Sequence, residues 1–254
     1  FLNAVLRSSS FPPEDPWLSG HSISYYYFGH LTMAGLTKLT GIPSSITYNL
    51  SIVLLASLVA QASYGLAYNL IRLSGARIYT AATYALAAPL FVGVVSNLEG
   101  VMEFIRAQGW GSLGFWQWVG IKGLEGPASS SSFYPSQSWW QWAWRSTRVI
   151  DTVVDGRSLD YTITEFPFFS FILGDLHPHV MSLPFVILGL GLCLNLFVSV
   201  ERLGLRWLRD HLVESVAIAL FIGSLAFINL WDLPVVAAML IAVALVKAYG
   251  DHGG

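Results

Sequence analysis

Two short motifs contain the side chains that could do chemistry in this chain. The first is Phe11-Pro-Pro-Glu-Asp-Pro-Trp17, which is followed by Tyr25-Tyr-Tyr27. Either Glu14 or Asp15 could act as a general base that removes a proton from an acceptor hydroxyl. Aspartate before proline is also a common way to start a turn, so a purely structural role for Asp15 stays open.

The second motif is Gly174-Asp-Leu-His-Pro-His179, which directly precedes an apolar run. Pro178 suits the first position of a helix. The free amides of that helix start, together with His177 and His179, could bind a phosphate group, which is the use we rank first. Simple capping by Asp175 or His177 ranks second, and a divalent metal held by Asp175 and both histidines ranks third.

Four further polar residues near the apolar runs could contact a substrate. Glu165 could orient a histidine or bind a sugar hydroxyl, and solvation at the end of a loop explains it equally well. Asp232 precedes Pro234, which favours a capping role, with substrate contact second. Arg145 and Arg148 could bind a phosphate group or a lipid headgroup.

Composition identifies the class of protein that must position these residues. The chain has 254 residues, of which 54% are hydrophobic and 11% are charged, and its mean hydropathy is +0.59. Soluble domains carry about 25% charged residues. We therefore predict an all-α polytopic membrane protein whose partner is the lipid bilayer. The net charge of -2 and the absence of a basic stripe argue against nucleic acid as a partner.

Five apolar runs predict about five transmembrane helices in a single membrane domain, 1–254. The predicted spans are 44–71, 78–97, 179–200, 212–230 and 234–249. Segment 22–41 is less apolar and contains His30 and Lys38, so we predict an interfacial helix there, within an outer loop 1–43.

Basic residues in short connections predict the orientation of the chain. The residues that we place in the cytoplasm are Arg72, Arg77, Arg202, Arg206, Arg209 and Lys247. Alternation of the spans then puts 1–43 and the large loop 98–178 on the extracytoplasmic face of the cell membrane. This places both motifs on the same side, provided that 22–41 does not cross the membrane.

The large loop 98–178 is predicted to be irregular and is rich in tryptophan. Its indole rings could pack at the membrane interface, which we favour, or form a platform for carbohydrate. The residues concerned are Trp110, Trp116, Trp118, Trp139, Trp140, Trp142 and Trp144.

Several separated motifs resemble those of the YYY-domain family of prokaryotic membrane proteins. They are Phe11–Trp17, Tyr25-Tyr-Tyr-Phe-Gly29, Trp139-Trp140 with Arg145 to Arg148, Glu165-Phe-Pro-Phe-Phe-Ser-Phe171, Gly174–His179 and Asn229-Leu-Trp-Asp-Leu-Pro234. That family looks related to the GT-C glycosyltransferases, which use polyprenyl-phosphate sugars as donors.

The resemblance implies inverting sugar transfer from a polyprenyl-phosphate donor to an unknown acceptor on the outer face. It implies Asp15 or Glu14 as the base, and Arg145, Arg148 or the His177/His179 helix start as the contact of the lipid phosphate. The family pattern has a further acidic residue upstream of Phe1, so the resemblance leaves open whether the base is that residue. Because the chain opens at Phe1 without Met and ends abruptly at Asp251-His-Gly-Gly254, we expect it to be a fragment of a longer protein. The alternatives are a binding or transport protein and a metal-dependent membrane hydrolase.

Overall fold

The computed structural model describes residues 1–128, 144–199, 201 and 204–252. Four residues with predicted positions lie outside the described residues. They are Trp139, Trp140 and Trp142 of the large loop, and Arg202. The described chain divides into two compact units. The first consists of Phe1–Val92 and Gly174–Gly254, and the second consists of Gly93–Leu173.

Helices dominate both units. Their bounds are Leu2–Arg7, Phe28–Thr40, Ser44–Leu73, Ile78–Ala85, Ala87–Leu90, Glu99–Ala107, Leu113–Val119, Pro167–Leu173, Pro178–Val198, Leu205–Asp210, Leu212–Ile228 and Asp232–His252, with a π-helical turn at Phe91–Val95. A hairpin of two antiparallel strands, Ile150–Val154 and Arg157–Thr162, completes the described elements.

Four helical segments among the described residues are long and apolar enough to cross a membrane. They are Ser44–Leu73, Ile78–Val95, Pro178–Val198 and Asp232–Gly250. An α-helix rises 1.5 Å per residue, so even the 18 residues of the shortest cover about 27 Å of the roughly 30 Å hydrocarbon core. The chain is therefore a polytopic membrane protein.

The other two segments considered as spans are shorter. The run predicted at 212–230 forms the helix Leu212–Ile228, whose 17 residues cover about 25 Å. Segment 22–41 contains the helix Phe28–Thr40, here called the His30 helix, whose 13 residues cover about 20 Å. The His30 helix is too short to cross the hydrocarbon core by itself, which agrees with the predicted interfacial position.

The helix Pro178–Val198, here called the central helix, organises the packing of the first unit. It contacts the helix Ser44–Leu73, here called the long helix, and also the last helix, Asp232–His252. Leu55 of the long helix and Met181 of the central helix are each only 1% exposed. When such side chains leave the surrounding lipid or water and pack closely against each other, they fix the relative positions of the helices.

Glycine allows two of these close approaches. A Cβ atom on Gly189 of the central helix would lie 2.9 Å from Cγ1 of Val236 on the last helix. A Cβ atom on Gly29 of the His30 helix would lie 2.7 Å from Sδ of Met181. Small residues at such crossings are typical of membrane helix packing.

The second unit corrects three expectations from the sequence. The described residues of the loop 98–178 are not irregular, because they include the helices Glu99–Ala107, Leu113–Val119 and Pro167–Leu173 and the hairpin, and the hairpin also makes the described chain mostly helical rather than all-α. Asp155 and Gly156, at the turn of the hairpin, have φ values of 51° and 73°. Asp-Gly with positive φ at both residues is typical of a two-residue hairpin turn, and this signal was present in the sequence. Trp116 is buried with Ile121 and Leu124, so it belongs to a core rather than to the membrane interface or a carbohydrate platform.

Candidate functional site

The Asp15 carboxylate is used within its own turn. Its Oδ1 atom accepts hydrogen bonds from the backbone N–H groups of Trp17 at 2.8 Å and Leu18 at 3.1 Å. The backbone N–H of Asp15 donates to the carbonyl of His21. Glu14 is exposed and pairs with Ser22 in an isolated β-bridge. The structural explanation of Asp15 therefore fits these contacts better than the general-base explanation.

Aromatic rings connect this turn to the second motif. The ring of Phe1 lies edge-on to Trp17 with centroids 4.9 Å apart, and it stacks on Tyr25 at 5.8 Å. The hydroxyl of Tyr25 lies 3.5 Å from Nε2 of His177. The first unit thus brings together the two motifs, which are more than 150 residues apart in sequence.

The other two tyrosines of the triplet lie beside this connection. The ring of Tyr26 is tilted against Tyr25 at 5.6 Å, whereas Tyr27 stacks on Phe11 at 6.2 Å. The Tyr25 side chain is 43% exposed and Trp17 is 77% exposed. Exposed rings beside polar groups offer a surface on which a sugar face could stack.

The backbone before the central helix determines which side chains face outward. Gly174 has a φ of +67°, a conformation that favours glycine, and it turns the chain into the motif. Leu176 is buried, and its N–H donates to the hydroxyl of Tyr48 at 3.4 Å. Its neighbours Asp175 and His177 stay partly exposed on the opposite side, as expected for an extended segment.

Asp175 and His177 form a dyad. Nδ1 of His177 lies 3.0 Å from Oδ2 of Asp175, and this hydrogen bond lowers the pKa of Asp175. An ionised Asp175 can only accept, so Nδ1 of His177 donates the proton. In neutral His177, Nε2 is then the basic atom, and Nε2 is the atom that contacts Tyr25.

Capping does not explain this dyad. His177 is the N-cap residue of the central helix, with Pro178 following it as predicted, but the structure shows no side-chain cap hydrogen bond there. The N–H groups of Val180 and Met181 already donate to the carbonyl of His177. Because proline has no N–H, the start of this helix offers fewer donors to a phosphate than the sequence predicted.

Two more histidines complete a group here called the His cluster, which consists of Tyr25, His30, Asp175, His177 and His179. The ring of His179 lies 5.1 Å from that of His177. His30 is 5% exposed, and its Nδ1 atom has no hydrogen-bond partner among the described residues. Burial lowers the pKa of His30 to about 4, so this ring is neutral at pH 7 while it interacts electrostatically with Asp175 and His177.

Asp232 connects helices rather than joining the His cluster. Its Oδ2 atom accepts hydrogen bonds from Ser182 at 2.5 Å and from Nδ2 of Asn229 at 3.0 Å. Ser182 belongs to the central helix, so this carboxylate ties that helix to the start of the last helix. These contacts agree with the predicted structural role of Asp232. One of the two partners lies in its own turn, but the other is a serine that is distant in sequence.

The second unit has its own group of charges, here called the Glu99 cluster: Glu99, Glu103 and Arg145. Nη2 and Nε of Arg145 lie 2.5 Å and 2.7 Å from Oε1 of Glu103. Glu99 lies one helical turn away, is 4% exposed, and neither of its carboxyl oxygens has a hydrogen-bond partner among the described residues. Burial and the neighbouring Glu103 carboxylate raise the pKa of Glu99.

The remaining predicted residues also lie in the second unit. Arg148 stacks on Trp144, with Cζ 3.4 Å from the ring centroid, and donates to the Trp144 carbonyl and to Thr147. Glu165 is half-buried just before the helix Pro167–Leu173. Both arginines predicted to bind phosphate therefore already have protein partners.

Sequence reasoning assigned no role to four residues that the structure singles out. They are His30, Ser182, Glu99 and Glu103. A Glu at positions i and i+4 of a helix was a readable signal for the last two. The burial of His30 and the side-chain contact of Ser182 arise only when helices that are distant in sequence pack together.

The helices and the polar clusters define a polytopic membrane protein with a histidine-rich site at the start of a membrane-spanning helix. The chain belongs to the family described as Uncharacterized membrane protein (DUF2298), whose family model matches residues 1–253. Neither the curated proteins nor the solved structures include a match to this chain.

Proposed function

We propose that this protein is a membrane glycosyltransferase that moves a sugar from a polyprenyl-phosphate donor to a hydroxyl group of an acceptor, with His177 as the general base. The observation that carries the proposal is the dyad of Asp175 and His177, whose basic Nε2 atom contacts Tyr25 beside exposed aromatic rings. The resemblance to GT-C enzymes supports the same reaction by analogy.

The dyad suits proton removal from a hydroxyl. Asp175 holds the proton on Nδ1 and stabilises the positive charge that forms on the ring when Nε2 accepts a second proton. The contact of 3.5 Å between Nε2 and the Tyr25 hydroxyl is long for a hydrogen bond, as is common for catalytic groups before substrate binds. In the proposed complex the acceptor hydroxyl replaces the Tyr25 hydroxyl as the group that contacts Nε2.

The reaction balances without a further reactant. The acceptor oxygen forms a bond to the anomeric carbon of the sugar, and the bond from that carbon to the phosphate oxygen breaks. The acceptor proton moves to Nε2 of His177, and polyprenyl phosphate leaves with the electron pair. Attack from the side opposite the leaving group inverts the anomeric centre.

A lipid-borne donor fits the position of the site in sequence and fold. His177 is the N-cap of a helix with membrane-spanning length and composition, so the dyad lies where an apolar segment begins. An extracytoplasmic active face in the cell membrane is part of the proposal and follows from the distribution of basic residues.

The aromatic residues are assigned to the sugar, and the histidine next to the dyad is assigned to the phosphate. Trp17, Tyr25 and Tyr26 would stack on a sugar ring. His179, whose ring lies 5.1 Å from that of His177, would donate a hydrogen bond to the phosphate. Substitution of His179 by alanine should raise KM for the donor more than it lowers kcat.

The direct test uses the full-length protein reconstituted in lipid nanodiscs with polyprenyl-phosphate sugars that carry a labelled sugar. We expect labelled product and an equal amount of released polyprenyl phosphate. His177→Gln should abolish transfer, while the matched variant His21→Gln should not, since His21 is an exposed histidine of the same unit. Absence of transfer with every donor tested would contradict the proposal.

Metal analysis of the same preparation tests the competing hydrolase. His177 and His179 could supply ring nitrogens to a divalent metal, and Asp175 would then orient a metal-bound histidine. The protein would be a metal-dependent hydrolase instead of a glycosyltransferase if two results are found together. The first is stoichiometric zinc that is lost in His177→Ala, and the second is hydrolysis in place of transfer.

A further inference from the structure

The long helix and the central helix enclose a groove that the proposed reaction does not use. Its volume is about 530 Å³. It runs from Ala62 to Leu73 on the long helix and from Ile187 to Val198 on the central helix. Eleven residues of rise correspond to about 16 Å, which is about half of a 30 Å hydrocarbon core.

The two ends of the groove differ in polarity. Small residues, Gly65 and Gly191, form part of its wall, and a Cβ atom at either position would meet no other atom within 4 Å. Asn69, Arg72 and Asn195 gather at the end nearest the C-termini of the two helices. The groove is therefore apolar along its length and polar at one end, like a single lipid chain with its headgroup.

The polar end makes few side-chain hydrogen bonds to the described residues. Nη1 of Arg72 donates to the carbonyl of Ala76, and the structure shows no other partner for this guanidinium among the described residues. The side-chain amides of Asn69 and Asn195 have no hydrogen-bond partner within the described part of the chain. All three side chains are exposed and lie in the last turns of their helices, so they can reach a lipid headgroup at the membrane surface.

The charge at this end selects the headgroup. The C-termini of both helices carry partial negative charge, which by itself would repel an anion. Arg72 supplies a full positive charge and several N–H donors, and arginine matches the geometry of phosphate. We propose that this groove binds one anionic phospholipid, with a chain between the two helices and the phosphate on Arg72, Asn69 and Asn195.

Native mass spectrometry of the full-length protein tests this site. The protein would be exchanged into equal amounts of phosphatidylglycerol and phosphatidylcholine, and retained lipid would be counted. We expect one retained lipid with about a fivefold preference for phosphatidylglycerol, the size of effect that one basic residue near the membrane surface supplies. Arg72→Gln should remove the preference, while Arg77→Gln should keep it, because Arg77 flanks the same connection but lies outside the groove.

A second pair of variants tests the apolar part. Gly191→Phe should fill the groove and release the lipid, whereas Gly223→Phe should not, since Gly223 also faces open space but lies on the helix Leu212–Ile228 outside the groove. Unchanged lipid retention in Gly191→Phe, or unchanged preference in Arg72→Gln, would overturn the proposal. Displacement of the lipid by inorganic phosphate alone, or loss of a dimer in Gly191→Phe with retention unchanged, would equally overturn it. None of these outcomes bears on sugar transfer.

Discussion

Nδ1 of His177 lies 3.0 Å from the Asp175 carboxylate, while Nε2 of the same ring faces the Tyr25 hydroxyl at 3.5 Å. This relationship gives the imidazole one defined donor atom and one defined basic atom. It also shifts the proposed base away from Asp15, whose carboxylate accepts two backbone hydrogen bonds in its own turn.

The role of Asp175 predicts a graded loss of activity. Asp175→Asn removes the charge that stabilises protonated His177 and permits the other tautomer, so kcat should fall by about 10²-fold or more. KM for the donor should change little, because Asp175 acts through His177. Steady-state transfer assays on the reconstituted protein measure both constants. If KM for the donor rises as much as kcat falls, Asp175 would instead belong to the site that binds the donor phosphate.

The turn at Asp15 predicts a different outcome for two substitutions. Asp15→Asn keeps an oxygen acceptor for the N–H groups of Trp17 and Leu18, so folding and transfer should be close to those of the original protein. Asp15→Ala removes the acceptor and should cost about 1 kcal/mol of stability. Thermal unfolding in detergent and the transfer assay check both. If the Asp15→Asn variant is fully folded but inactive, Asp15 would be the base after all.

Much of the membrane topology could be predicted from sequence, because hydropathy depends on residues that are near one another along the chain. The predicted span 44–71 matches the helix Ser44–Leu73, and 179–200 matches Pro178–Val198. The start at Pro178 could be predicted for the same reason. The span count could not, since 17 apolar residues at Leu212–Ile228 are marginal in length.

The site was only partly predictable. The sequence indicated both motifs, but the choice between capping and a dyad depends on where the Asp175 side chain points. The pair of Arg145 and Glu103 joins residues 42 positions apart, so no local pattern reports it. The hairpin around Asp155-Gly156 is different, because Asp-Gly is a local turn signal that indicates a hairpin in the sequence itself.

The Glu99 cluster predicts a pH-dependent stability. The pKa of Glu99 is raised from its ordinary value of 4.5, so the folded protein holds a proton that the unfolded chain releases above that pH. The stabilisation is fully present below pH 4.5 and is lost as the pH rises toward the folded-state pKa, by at most about 1.4 kcal/mol per pH unit. Unfolding midpoints between pH 5 and 8 measure this fall.

Glu99→Gln should flatten that dependence, because glutamine stays neutral at every pH. Glu14→Gln is the matched control, since Glu14 is exposed, and it should leave the fall in place. Glu103→Gln should lower stability across the whole range, because Arg145 loses its carboxylate. The same pH dependence in Glu99→Gln and in the original protein would show that Glu99 is not the titrating group.

The crossing of the central and last helices predicts opposite results at two nearby glycines. Gly189→Ala brings a Cβ atom to 2.9 Å from Val236 and should destabilise the protein by about 1–3 kcal/mol. Gly191→Ala meets open space and should be neutral or slightly stabilising, because alanine favours helix. Thermal unfolding of both variants in the same detergent checks the pair. Equal stability of the two variants would contradict the close packing at Gly189.

The most direct test of the account is chemical rescue of a His177 variant. His177→Ala should lose transfer from a polyprenyl-phosphate sugar by 10²-fold or more, and added imidazole should restore part of the rate as its neutral form increases with pH. His21→Ala should keep full activity and gain nothing from imidazole. Normal transfer by a fully folded His177→Ala protein would contradict the assignment of His177 as the base.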